Sequence, residues 1–255
     1  MPAKAAEVAD ATVTQSRYVL GATVTSSAEY PGSDQRATKL RPLWAFQYGR
    51  WRLSSSRASA VLGFATDAAG PGASAELVAT KNWHLGAAFR FDSGRKASDS
   101  PYLNGLPDVA RTLRGRIYTS YDINKQWSIG GNVSQDLLGR GGGALASIDL
   151  GYRRWITPRI EWTNGIGATL ADSRNMSTYF GISDEQAVKS GLRPFTANAG
   201  VRDVHFGTGL TTALSPHWIA FGNLGWSRLM GDAADSPLTR RASGASASLG
   251  IAYRN

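Results

Sequence analysis

The sequence predicts an all-β fold: an antiparallel transmembrane β-barrel of about 12 strands, with both termini on the periplasmic side. Three observations predict it. Apolar residues recur at every second position along segments of about ten residues or more, the length of a tilted membrane strand and longer than the ~5–6 typical of a globular one. The connections between those segments alternate short and long, as outer-membrane barrels alternate periplasmic turns with external loops. Tryptophans gather beside the short connections, where an indole meets both lipid and water.

Taken in order, the first two strands are read at 18–29 and 39–48, joined by a long connection at 30–38. A tight turn at Gly49 leads into the third, 50–65, with a bend or bulge expected near Ser54–Ser59. After a connection at 66–72 the fourth strand, 73–80, turns at Lys81-Asn82 into the fifth, 83–92. A long loop, 93–109, precedes the sixth, 110–122, where Leu113, Gly115, Ile117, Thr119 and Tyr121 oppose Arg114, Arg116, Tyr118, Ser120 and Asp122. A turn at Ile123–Lys125 opens the seventh, 126–138, with Trp127, Ile129, Gly131 and Val133 against Ser128, Gly130, Asn132, Ser134 and Asp136. The glycine-rich connection 139–143 is the shortest of the long set.

The eighth strand, 144–155, sets Ala146, Ile148, Leu150 and Tyr152 against Ser147, Asp149, Gly151 and Arg153. Thr157-Pro158 turns it into the ninth, 159–171, where Ile160, Trp162, Ile166, Ala168 and Leu170 oppose Glu161, Thr163, Gly165, Gly167 and Thr169. The longest loop, 172–200, leads to the tenth, 201–214, with Val204, Phe206 and Leu210 against His205, Gly207, Gly209 and Thr211. Ser215-Pro216 joins it to the eleventh, 217–230, and a loop at 231–242 leads to the twelfth, 243–254. Side chains alternate across a strand, so each segment has one apolar face for lipid and one polar or glycine face for the lumen. Trp51, Trp83, Trp127, Trp155 and Trp218 lie beside short turns, and Trp162 lies just past Pro158, which reads as a girdle.

Composition closes off other classes. The 255 residues include no cysteine, which excludes disulfides, thiolate metal sites and cysteine nucleophiles. The 28 lysines and arginines exceed 19 aspartates and glutamates by 9, but they are scattered. That spread suits an anionic lipid or lipopolysaccharide surface, and no basic block reads as a nucleic-acid patch. No run approaches the ~20 apolar residues of a spanning helix. The opening MPAKAAEVADATVTQSR lacks a signal-peptide core, so any export signal has been removed or the protein stays inside. Residues 1–16 are expected as a periplasmic tail and 17–255 as the barrel.

Catalytic and metal chemistry finds little support. Of His84, His205 and His217, the first two share the lumen phase but lie on distant strands. Each has glycine, Gly86 or Gly207, where a same-face serine nucleophile would stand, so no catalytic residue is assigned. No paired histidines suggest a metal site, and no cofactor is expected. Arg90, Arg114, Arg116 and Arg153 share the lumen phase with Asp122, Asp136, Asp149 and Glu161. Pairing of these charges to fill the barrel is expected ahead of an open, anion-selective channel. In the loop 175–198, Ser183 and Gln186 stand at capping-box spacing and predict a short helix. Asp232 and Asp235 offer two carboxylates near a rigid turn, a weak cation site.

Three segments carry a family resemblance: Tyr30-Pro31-Gly32-Ser33-Asp34; Tyr179-Phe180-Gly181 followed by Ser190-Gly191; and Gly231-Asp232 through Asp235-Ser236-Pro237. They resemble the MipA/OmpV family of outer-membrane proteins over essentially the whole chain. Family members typically finish on an aromatic residue, whereas this chain ends Tyr253-Arg254-Asn255, a replacement or a clipped end. The resemblance implies a non-enzymatic barrel in the outer membrane. It also implies a scaffold between a membrane-bound lytic transglycosylase and a bifunctional penicillin-binding protein, with porin-like and adhesive relatives as alternatives.

Overall fold

The computed structural model describes residues 17–55 and 71–255, and in it twelve antiparallel strands close into a barrel. They are β1 (Arg17–Ala28), β2 (Arg36–Tyr48), β3 (Trp51–Ser54), β4 (Gly72–Ala79), β5 (Trp83–Asp92), β6 (Thr112–Asp122), β7 (Trp127–Asp136), β8 (Ala144–Thr157), β9 (Ile160–Ala171), β10 (Gly200–Ala213), β11 (Trp218–Leu229) and β12 (Ser243–Arg254). Neighbours in the ring are neighbours in sequence except at the seam, where β1 pairs with β12 from Val19↔Arg254 to Ser26↔Ala247. Closure leaves the paired strands no free edge, which in lipid would strand backbone groups without partners. β2 begins three residues earlier than its alternation suggests, because pairing with β1 continues to Ala28↔Arg36. The predicted third strand beyond 55, most of its bend, and the tail 1–16 lie outside the described residues.

The two phases separate as expected. Leu20, Val24, Phe89, Ile117, Val133, Ile148, Ile166, Phe206, Leu224 and Leu249 are all exposed on the outer face. So large an apolar surface is the solvent-facing side of a protein whose solvent is lipid. Short turns at one end are tied by side chains that mimic backbone acceptors. Asn124 Oδ1 accepts from the amides of Gln126 and Trp127 (2.8 and 2.9 Å), Thr157 Oγ1 from Arg159 and Ile160 (3.2 and 3.1 Å), and Ser215 Oγ from His217 and Trp218 (3.3 and 3.0 Å). Both barrel termini are at that end, where the Tyr18 amide donates to Asn255 Oδ1.

The girdle is present there, with one correction. Trp83 and Trp162 each donate an indole N–H to a threonine on the same face, Thr119 (2.7 Å) and Thr208 (2.9 Å). Trp127 packs on Tyr152, and Trp218 meets Tyr253 edge-on. Trp155 departs from the set. It stands opposite Glu161, a lumen-phase residue, next to a register shift between Trp155 and Thr157, so it faces the lumen side of the rim. Proximity to a turn does not fix the phase: Trp155 lies two residues past Arg153 and shares its lumen face.

The lumen is less uniformly polar than its alternation suggests. Val19, Leu43, Ala45, Ile219 and Ala252, with Phe221 against them, form a buried apolar cluster inside β1, β2, β11 and β12. Nothing in the reading of the last strand anticipated it, since Ala252 falls among serines and glycines on the lumen phase.

Candidate functional site

The long loops fold into a layer across the other end. After β9, Asp172 caps a helix, α1 (Ser173–Phe180), by accepting from the Asn175 amide at 2.7 Å. The predicted capping box is formed: Ser183 Oγ accepts from the Gln186 amide (3.2 Å) and Gln186 Oε1 from the Ser183 amide (3.1 Å), opening α2 (Asp184–Ser190). Ser190 Oγ bonds back to Gln186 O, and Gly191 ends the helix in a left-handed conformation. A single turn, α3 (Gly231–Asp235), follows β11. Two 3-10 turns, Ala97–Asp99 and Pro101–Leu103, shape the loop between β5 and β6. α1, α3 and both 3-10 turns were not anticipated, although Asp172 three residues before Asn175, with Met176 and Phe180 one turn apart, is a helix-start signal.

The three family-like segments meet in this layer. Tyr30-Pro31-Gly32-Ser33 is a turn closed by the Ser33 amide on Tyr30 O (3.0 Å), with Gly32 at φ 97°. A Cβ on Gly32 would also stand 2.8 Å from Thr239 Oγ1, so both conformation and space require glycine. The Gly32 carbonyl accepts from the amides of Arg240 and Arg241, and Arg240 reaches Asp34 at 3.5 Å. Tyr30 Oη donates to Leu238 O at 3.3 Å. Ser33 is buried, and its hydroxyl accepts from the Gln35 amide. Ser236 Oγ donates to Phe180 O at 2.6 Å, Arg95 Nη1 to Tyr179 O at 2.8 Å, and Tyr102 Oη to Pro237 O at 3.0 Å. Gly181 donates to Ser177 O and ends α1.

Two apolar clusters hold these contacts together. One joins Tyr30, Leu103, Leu106, Ile182 and Leu238; the other joins Ala171, Met176, Phe180, Ala197, Leu229 and Ala233. The first draws on four separate loops, so the layer packs like a small domain core. Its position follows from topology. The β5–β6 and β11–β12 loops stand six strands apart in a ring of twelve, on opposite sides of the mouth. The Tyr102–Pro237 bond and the Arg240 guanidinium over the Tyr102 ring (4.7 Å) therefore bridge the barrel's diameter. The layer is a cap.

Beneath it, lumen charges are tied to strand and loop. Arg114 donates to Gly142 O (2.9 Å) and Gly143 O (3.0 Å) and stands 3.7 Å from Asp92. Asp136 accepts from the Gly142 amide (2.9 Å), the Leu138 amide and the Thr112 hydroxyl. Asn175 Nδ2 also donates to Gly142 O (2.7 Å), which fixes α1 to the glycine-rich connection. A Cβ on Gly143 (φ 56°) would stand 2.2 Å from Asp172 Oδ1. Arg90 is buried and donates to Ser54 Oγ at 3.2 Å. Deeper, Arg153 stands 3.7 Å from Glu161, and Arg116 lies over Tyr118. Asp122 takes the lumen phase near the short-turn end.

The histidines are held by carboxylates or backbone. His205 lies between Asp149 (2.8 Å) and Asp203 (3.1 Å), His84 bonds Glu76 (2.7 Å), and His217 bonds Arg254 O (3.1 Å). Glu76 also meets Arg52 at 2.9 Å. The two loop carboxylates are not gathered around a common point. Asp232 accepts from the Asn198 amide (2.8 Å) and Nδ2 (3.0 Å), which holds its carboxyl below the usual range, while Asp235 is exposed.

A family model described as MltA-interacting protein MipA matches residues 20–255. Comparison with curated protein sequences returned no match. Among solved structures, an outer membrane channel from Pseudomonas putida F1 is similar at 12% identity and a TM-score of 0.49, covering 100% of this chain and 99% of that one. OmpT of Vibrio cholerae is similar at 8% identity and 0.43, covering 95% and 97%. The anion-selective porin from Comamonas acidovorans is similar at 12% and 0.41, covering 95% and 99%.

Proposed function

The chain belongs to the MipA family, the MltA-interacting proteins, and from that premise we propose that it is a non-enzymatic outer-membrane scaffold. In this reading it holds a membrane-bound lytic transglycosylase beside a bifunctional penicillin-binding protein on the periplasmic side. The observation that carries the reading is the cap. Loops on opposite sides of the mouth are bonded to one another across it, which argues against the free passage a porin needs. The motif residues are explained by building that cap, which leaves the short-turn rim as the docking face. Five tight turns make a shallow surface, suited to contacts of modest area and mixed polarity.

A second reading, a channel for small solutes, is favoured by the charged lumen wall around Arg116, Arg153, Asp149 and Glu161. Conductance across planar bilayers separates the two. The scaffold reading expects a silent or rarely opening wild type and steady conductance only after cap-loosening changes such as Tyr102→Phe with Ser236→Ala. Porin-like conductance of the wild type overturns it. Capture of the purified transglycosylase should weaken on deleting residues 2–16 or on exchanging the exposed Lys81 and Lys125 for glutamate. Capture lost instead on changes in Tyr179–Gly191 would make the outer face the active one, as in an adhesin.

A further inference from the structure

A buried guanidinium in the cap has no carboxylate partner among the described residues. Arg95 is 6% exposed and forms an isolated bridge with Val109 in the β5–β6 loop. Its one side-chain hydrogen bond among the described residues is Nη1 to the neutral Tyr179 carbonyl, and no carboxylate stands within salt-bridge distance. A buried cation is costly unless paired. Burial pushes this guanidinium below its ordinary range, and of the groups that oppose the shift, Tyr30, Tyr179 and Asp99, only the Asp99 carboxylate is charged. The Asp99 carboxylate accepts from the Lys96 amide.

Arg95 lies in the wall of a cleft of about 580 Å³ between the β5–β6 loop, the glycine-rich connection and α1–α2. That volume is within the range of small-ligand sites. Arg140 also lines the cleft and uses one N–H on Arg111 O, leaving the rest of its fork available. Thr178 and Gln186 complete the polar lining, with Gln186 using its oxygen on Ser183 and keeping its amide N–H groups free to donate. Asp108 shares the wall, and one of its oxygens accepts from the Ala97 amide. Two guanidiniums against one carboxylate leave a single net positive charge.

We propose that this cleft in the cap is a binding site for a small oxyanion, a carboxylate or phosphate group, gripped between Arg95 and Arg140. The planar fork of arginine matches such groups with paired N–H donors. The site lies on the face opposite the proposed docking rim, so it stands or falls independently of the scaffold reading. Its ligand could be a free solute or the phosphate of a lipid headgroup at the outer leaflet, and the chemistry is the same.

The test is calorimetric titration of the full chain in phosphatidylcholine nanodiscs with inorganic phosphate, and separately with acetate. Saturable binding of either is expected, weakened by about tenfold or more in R140E and in R95Q. R193E, whose parent side chain bonds Asp235 O away from the cleft, should bind as the wild type does. Arg140 is exposed, so R140E reports on binding even if R95Q loosens the cap. Repeating the titration in nanodiscs doped with phosphatidic acid identifies the source: abolished uptake assigns the site to a lipid phosphate, unchanged uptake to a soluble anion. Non-saturating heats for both probes, or wild-type affinity in both R140E and R95Q, would overturn the proposal.

Discussion

Ile166→Arg tests the solvent assigned to the outer face. Ile166 sits halfway along β9, 58% exposed, with Leu150 of β8 and Phe206 of β10 directly beside it in register, at 37% and 43%. The three make an apolar row across three strands, so an arginine there has no polar neighbour within the row and too long a path to either rim. At the bilayer midplane such a change costs ~2–4 kcal/mol. Since about 1.4 kcal/mol is tenfold in an equilibrium constant, the folding equilibrium constant should fall by roughly thirty- to several-hundredfold. The comparison is Thr163→Arg, three residues away on the lumen phase, opposite Arg153 and next but one to Glu161 in sequence, where water and a carboxylate are within reach. Urea titration of both variants refolded into lipid vesicles reads the difference. Equal destabilisation would refute the assignment of lipid to one face and water to the other.

Further expectations follow from the same geometry. Epitope tags within 93–109, 172–200 or 231–242 should be labelled on intact cells, and tags at Lys81-Asn82 or Thr157-Pro158 should not; labelling of the short turns would invert the barrel. Arginine at Ser134, which alternation alone marks as tolerant, should be costly, because Ser134 is buried and already accepts from Arg114 Nε at 3.4 Å; a refolding titration showing wild-type stability would contradict this. Phe180→Ala should cost the cap about 3–5 kcal/mol by leaving a cavity, seen as faster proteolysis of the outer loops while the barrel keeps its folded electrophoretic mobility. Burial pushes the phenols of Tyr30 and Tyr179 up to about 12 from an ordinary 10.0. Each therefore contributes stability that is fully present below pH 10 and is lost as pH rises from about 10 to about 12. Tyrosinate absorbance compared with Y30F and Y179F should place both phenols at the top of that range.

What could be read from the sequence is what repeats. A period of two over ten residues is a cooperative signal, because one slipped residue would turn a whole apolar face into the lumen; β6, β7 and β9 fall within two residues of their expected limits for that reason. Trp155 shows what position alone misses: it lies two residues past Arg153 and so takes the lumen face by plain alternation, and only its nearness to the Thr157-Pro158 turn put it in the girdle. The apolar lumen cluster was hidden differently. Val19, Leu43 and Ile219 each look like an ordinary strand residue, and only the closing seam between β1 and β12 brings them to one place.

The cap was half legible, and the division is instructive about what its residues do. Ser183 and Gln186 announce their helix because a capping box is a local contract between neighbours in sequence. Tyr102, Pro237 and Arg240 announce nothing, because their partners stand more than a hundred residues away on the far side of the mouth. The resemblance marked Tyr30, Gly32, Phe180, Ser236 and Pro237 as special without giving a reason. The structure supplies one: each either packs in the two apolar clusters or donates or accepts a bond that joins separate loops. For these five residues, contacts within the cap are account enough without a ligand. Arg95 is the exception, a buried charge in that layer whose contacts among the described residues leave it unneutralised, and it lies in no quoted motif. Packing explains the motif and fails to explain the arginine, which is why the cleft beside Arg95, rather than the motif loops, is where a ligand is to be sought.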